Sequence, residues 1–187
     1  MADNKDTIFV QFRTANPDDA LQVAQLIETA FRAEDSRADW TANMKLGRSF
    51  RYSADQVLAT ITKPDAAVLM GFDHRGVLVG SVQVVVKRDA GFARIAMLSV
   101  DPGQQRAGVG RQVLASAEAY AQRHYEVKKF GLNALSSREK LLAWYERCGY
   151  QKTGETSPFP VDRLALLDLP QDLCFVELEK DVAHGVA

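Results

Sequence analysis

The stretch DPGQQRAGVGR, Asp101 to Arg111, carries two glycines, Gly108 and Gly110, flanked by Arg106 and Arg111. It follows the apolar run IAMLSV and opens into VLASAEAYAQRHY, which repeats small and apolar residues at helical spacing. A strand is handing over to a helix. In a helix's first turn the N–H groups lack intrahelical partners and carry the positive end of the dipole, a seat for a phosphate or diphosphate. Glycines there cost conformational entropy. Either they let a ligand come close to the backbone, or Gly108 only turns the chain and Gly110 only lets the helix pack on the sheet. Arg106 and Arg111 would add charge-assisted donors. Two nucleotide motifs are excluded: no Gly-Lys-Ser/Thr follows, as a P-loop needs, and Val113 stands where a dinucleotide fingerprint needs its third glycine.

The elements around this turn read as a mixed α/β domain in the order β-α-α-β-β-β-α-β-α-β-β. Thr7 to Ala15 alternates as a first strand. Asn16-Pro17-Asp18-Asp19 starts a helix with Leu21, Ala24, Ile27 and Phe31 on one stripe. Ser53 to Gln56 is a capping box before a short second helix. AAVLMGF and VLVGSVQVVVK form a hairpin across Asp73-His74-Arg75-Gly76. Ala93 to Val100 is the next strand. The helix from Val109 to about Tyr125 turns Val109, Val113 and Ala117 inward and Arg111, Gln112 and Arg123 outward. KFGLNAL is a strand, and Ser136 to Glu139 a second capping box. The helix it opens bears Leu141, Leu142, Tyr145 and Cys148 on one side and stops at Gly149. YQKTGE, a Pro-punctuated loop and the alternating LCFVELEKDV close a single domain over residues 1–187, with 183–187 a frayed tail.

Composition narrows the classes. With 187 residues, 47% apolar and 25% charged, the chain can bury one proper core. A formal net charge of −1 argues against a general nucleic-acid or membrane-surface binder. No apolar run reaches membrane-spanning length, and MADNKDTIFVQFR lacks a secretory h-region. Two cysteines make no disulfide framework, so the cytoplasm is the expected compartment. No metal-ligand spacing is present.

Gln105-Arg106-Ala107-Gly108-Val109-Gly110 resembles the Q/R-x-x-G-x-G/A signature of the GNAT superfamily of acyl-CoA N-acyltransferases. The MLSVDP run before it, WYERCGY after it and the FVELEK strand are similar to that family too. The resemblance covers nearly the whole chain. It implies a largely antiparallel sheet whose fourth and fifth strands splay apart, with acetyl-CoA as co-substrate. The amides of Arg106 to Arg111, with Gln105 beside them, would hold the diphosphate. Main-chain groups of Leu98 and Val100 would pair with the pantetheine arm, and an N–H at Leu98 or Ser99 would face the thioester oxygen. Tyr145 matches the tyrosine that protonates the leaving thiolate, and a phenol and a thiol are close enough in acidity for that.

Two positions depart from the family pattern. Arg138 stands where many members have Asn, within reach of a CoA phosphate or solvated in its helix's first turn. Ala96 stands where some carry a Glu base, leaving a water chain, Glu118, His124 or an acid among residues 33–52 for that task. Selectivity is expected from residues 33–52, where Glu34, Asp35, Asp39 and Trp40 would make an anionic, aromatic pocket or a solvated surface. It is also expected from residues 157–170, where Phe159 would stiffen a lid or pack on the last strands. The expected reaction is transfer of an acetyl group to a primary amine of a small molecule, by direct attack in a ternary complex, in a monomer or homodimer. A protein or peptide N-acetyltransferase and a non-catalytic acyl-CoA-binding module are the rival readings.

Overall fold

Asn16 starts the first helix: its side chain accepts from the Asp18 N–H at 2.9 Å, and its own N–H donates to Asp19 Oδ2 at 2.8 Å. The structure, a computed structural model, describes residues 8–33, 49–105, 107–159 and 172–183. Helix α1, Ala20–Arg32, buries Ala20, Val23, Ala24 and Ile27. Leu21, expected on the inner stripe, is 61% exposed, because the 20, 23, 24, 27 series forms a continuous apolar face without it. Helix α2, Ala54–Ile61, begins at the expected capping box, with Ser53 and Gln56 exchanging hydrogen bonds at 2.9 and 3.3 Å. Both helices pack on one face of the sheet, over β2 (Ala66–Phe72), β3 (Leu78–Lys87) and β4 (Phe92–Val100). Val57, Val68 and Met70 are fully buried there.

The opposite face is covered by α3, Val109–His124, and α4, Glu139–Arg147, which enclose the larger core with Val82, Val84, Phe130, Leu132 and Leu178. With β1 (Gln11–Thr14), β5 (Lys129–Leu135), β6 (Gln151–Pro158) and β7 (Cys174–Asp181), the seven strands run in the order β1-β2-β3-β4-β5-β7-β6. Every pairing is antiparallel except β4 with β5, which α3 joins as a crossover. The element order and the largely antiparallel sheet are those expected.

Several local expectations fail for identifiable reasons. β1 is shorter than Thr7 to Ala15 because the backbone before Gln11 turns to α3. There Gln112 accepts from the Val10 N–H at 3.0 Å and donates to the Ile8 carbonyl at 2.6 Å. Gln112 is therefore a clip rather than an outward polar residue. Ser136 does not cap α4. Its Oγ accepts from the Cys174 N–H at 3.3 Å and its N–H donates to the Cys174 carbonyl at 2.8 Å, so β7 takes the group a cap would use. β6 runs through Ser157 and Pro158, where a loop was expected; proline is tolerated because this is an edge strand. Among the described residues, no helix is long and apolar enough to cross a membrane.

Candidate functional site

β4 and β5 pair at only three positions, Phe92 with Lys129, Ala93 with Phe130 and Arg94 with Gly131. Both strands then run on, β4 to Val100 and β5 to Leu135, so a fork opens on the far side of Arg94. On its other edge β4 stays paired with β3, but with a bulge: Met97 and Leu98 together face Val82. Met97 adopts φ +49°, a left-handed conformation that a non-glycine residue enters at a cost of about 1–2 kcal/mol. Ser99 holds the bulge by donating from Oγ to the Met97 carbonyl at 3.1 Å. Opposite it, Ser81 Oγ is buried and has no hydrogen-bond partner among the described residues.

Strand alternation fixes which backbone groups face the fork. The Asp101 N–H donates across to the Val79 carbonyl at 2.9 Å, so the Ser99 backbone faces β3 as well. The N–H groups of Val100 and Leu98 therefore point the other way, into the opening. Of the Leu98 and Ser99 N–H groups, that of Leu98 faces the opening and that of Ser99 faces β3.

The chain then reaches the glycine turn. Asp101 accepts from the Gly103 N–H at 2.8 Å, and a short 3-10 turn, Pro102–Gln104, leads into extended Gln105. Arg106 lies outside the described residues. Gly108 caps α3 at φ +76°, ψ 1°, so its glycine is required by the turn itself. A glycine cap has no side chain, and no side-chain hydrogen bond closes the start of this 16-residue helix. The first-turn N–H groups of Val109, Gly110 and Arg111 keep their outward aim. Gly110 is different. A Cβ there would sit 3.7 Å from Trp144 Cζ2 and from Val100 Cγ2, which is ordinary contact. Packing on the sheet does not demand glycine at 110. Ala107 is partly buried against the core, Val109 is buried and Arg111 is exposed.

Tyr145 packs into the same apolar cluster as Leu98, Val100, Ala107 and Val109. Its ring lies 5.0 Å from Trp144 and edge-on to Tyr150 at 6.1 Å. Helix α4 ends around it: the Tyr150 N–H donates to the Tyr145 carbonyl at 3.1 Å and the Gly149 N–H to Glu146 at 3.0 Å, with Gly149 at φ +94°. This double closure fixes the tyrosine's backbone, as the expected glycine stop implied. Burial pushes the Tyr145 phenol up to about 12, against the opposing pull of the Arg138 guanidinium. Arg138 is the residue from which α4 starts.

The remaining candidates separate clearly. Glu118 is held by Lys180 at 2.8 Å and by the Tyr150 hydroxyl at 2.9 Å, which makes it a strut between α3 and β7. His124 packs at a tilt against Tyr120, ring centroids 4.5 Å apart, in the last turn of α3, at the opposite end of that helix from Gly108. Neither stands at the fork. Phe159 packs on Phe175 of β7 at 5.6 Å, the packing alternative to a lid. Glu34, Asp35, Asp39 and Trp40 lie outside the described residues, as does the loop from residue 160 to 171.

The base of the fork holds residues the sequence did not single out. Arg94 Nη1 donates to Glu177 Oε2 at 2.6 Å, while Asn133 Nδ2 and Ser157 Oγ donate to Glu177 Oε1 at 2.9 and 3.0 Å. Four strands meet at one carboxylate, which these donors hold below the usual range against the opposing effect of burial. The only trace in the sequence is the polar alternation of FVELEK. Among the described residues, no group of three or more His, Cys, Asp or Glu is placed to hold a metal.

The profile of the acetyltransferase (GNAT) family matches residues 23–150. No curated protein sequence gives a significant match. Solved structures share the fold at low identity. A spermidine/spermine N-acetyltransferase of Vibrio cholerae is 16% identical, with TM-score 0.66 over 91% of this chain and 92% of that one. The ribosomal-protein-S18-alanine N-acetyltransferase of Escherichia coli is 13% identical, with TM-score 0.67 over 95% and 96%. A Bacillus anthracis protein assigned as a streptothricin acetyltransferase, solved with acetyl coenzyme A, is 19% identical, with TM-score 0.54 over 66% of each chain.

Proposed function

The chain belongs to the acetyltransferase (GNAT) family, and on that premise we propose that it moves an acetyl group from acetyl-CoA to a primary amine of a small molecule, by direct attack in a ternary complex. One observation carries this reading: the fork between β4 and β5, onto which the Leu98 and Val100 N–H groups face, leads to a helix start with no side-chain cap, where Val109, Gly110 and Arg111 present their first-turn N–H groups. The N–H groups of Ala107, Gly108, Val109, Gly110 and Arg111 hold the diphosphate, with Gln105 beside them and the side chains of Arg106 and Arg111 as the source of positive charge. Val100 pairs its backbone with the pantetheine arm. Leu98 N–H takes the thioester oxygen as it gains charge, and the Ser99 hydroxyl keeps the bulge that aims it.

Tyr145 holds the proton that the departing sulfur receives. Arg138 moderates the phenol's rise in pKa and stands at the start of the same helix. Cys148 is partly buried and its thiol is pushed up by that burial, which makes it a poor nucleophile and supports transfer without an acyl-enzyme. With Ala96 in place of a carboxylate, the surplus amine proton leaves to solvent water.

The diphosphate seat is tested by titrating the protein with CoA and, separately, with pantetheine, which lacks the diphosphate and the 3′-phosphoadenosine attached to it. Loss of two or more hydrogen bonds to charged oxygens is expected to weaken pantetheine by about 10³-fold. Equal affinities would remove the glycine turn from the binding site.

A further inference from the structure

Asn133 and Ala96 stand level on the two arms of the fork. The last paired residues are Arg94 and Gly131, and two residues further along each parallel strand come Ala96 and Asn133, on the same face. That is the face carrying α1 and α2, which pack over β2 to β4 and leave the β5–β7–β6 side to Asn133, Glu177 and Ser157. Ala96 projects only a methyl group, so the space between the arms is not filled from β4.

The Asn133 amide is oriented by chemistry. An ionised Glu177 only accepts hydrogen bonds, so Asn133 must turn its NH₂ to that carboxylate, and it does so at 2.9 Å. Its oxygen then faces away from that carboxylate, and the residue is partly exposed. The carboxylate behind it is matched by Arg94 in a half-buried pair, with side-chain exposures of 29% and 20%. The Arg94–Glu177 pair itself carries no net charge.

We propose that Asn133 orients the acceptor at the base of the fork, its side-chain oxygen accepting an N–H of the incoming amine, in a subsite that Arg94 keeps electrically neutral. The subsite therefore takes an amine on an uncharged framework in preference to a polycation. This rests on the acetyl-CoA reading, because the amine must meet the acyl carbon held at Leu98.

The test compares butylamine with putrescine in the wild type, Asn133→Ala and Arg94→Met, with acetyl-CoA affinity measured in each. Asn133→Ala is expected to raise the KM for butylamine about tenfold, one hydrogen bond's worth, with acetyl-CoA affinity unchanged. Arg94→Met leaves Glu177 uncompensated, and the kcat/KM ratio of putrescine over butylamine is expected to rise about tenfold. Because Arg94 also ties β4 to β7, the double variant Arg94→Met with Glu177→Leu removes both charges and is expected to return to the wild-type ratio. An unchanged KM in Asn133→Ala overturns the proposal. So does a parallel fall in acetyl-CoA affinity, which would make the network a strut, and so does a ratio that rises equally in the double variant. Turnover of neither amine by a wild type that binds acetyl-CoA also counts against it. A wild type that binds no acetyl-CoA would instead strike the donor assignment and the proposal with it.

Discussion

Tyr145→Phe is expected to lower kcat about 10²-fold while changing acetyl-CoA affinity by no more than about twofold. The substitution keeps the ring that packs against Trp144 and Tyr150 and removes only the hydroxyl. With its phenol at about 12, the side chain is protonated throughout the range in which an amine substrate is usable. It lies roughly three units above a free thiol, so complete transfer to a free thiolate would run about 4 kcal/mol uphill. The proton is given up only as charge develops on the departing sulfur, and the hydroxyl contributes through a hydrogen bond that strengthens in the transition state. Stability carries an independent signature. The phenol's pKa is raised on folding, so its contribution is complete below about pH 10 and is lost as pH rises towards 12, up to about 3 kcal/mol. Melting of the wild type should therefore fall more steeply than that of Tyr145→Phe across this window. Full activity in the variant would remove Tyr145 from the chemistry and leave it a core aromatic.

Gly110→Val is expected to weaken acetyl-CoA binding about 10²-fold, about two hydrogen bonds' worth. A Cβ at this position makes only ordinary contact, 3.7 Å from Trp144 and from Val100. A smaller step, Gly110→Ala, should raise stability by up to about 1 kcal/mol through helix propensity and still weaken binding. Stability and affinity moving in opposite directions is the mark of a glycine kept for a ligand. At Gly108 the two should fall together, because φ +76° penalises any side chain. Unchanged acetyl-CoA affinity in Gly110→Val would place the diphosphate elsewhere.

Local structure that is short-range in sequence was legible there. The glycine turn, the Asn16 and Ser53 caps and the Gly149 stop each depend on residues within a few positions of one another. What stayed hidden depends on distant partners. Arg94 meets Glu177 across 83 positions and Asn133 meets Glu177 across 44, and no local pattern marks either pair. The bulge was invisible for another reason: Met97 adopts a left-handed φ that its residue type gives no cause to expect. Ser136 shows the converse, a clear capping motif whose hydroxyl β7 claims first. Gln112 was assigned outward because periodicity does not reveal a chain end folding back to meet it.

The most direct measurement is free-thiol release from acetyl-CoA by the purified protein across a panel of primary amines, with the acetylated product identified by mass. The predicted result is amine-dependent thiol release, one acetylated amine for each thiol, with no acetyl group left on Cys148 or Cys174. Saturable acetyl-CoA binding with no thiol release for any amine would contradict it and leave a binding module that does not turn over.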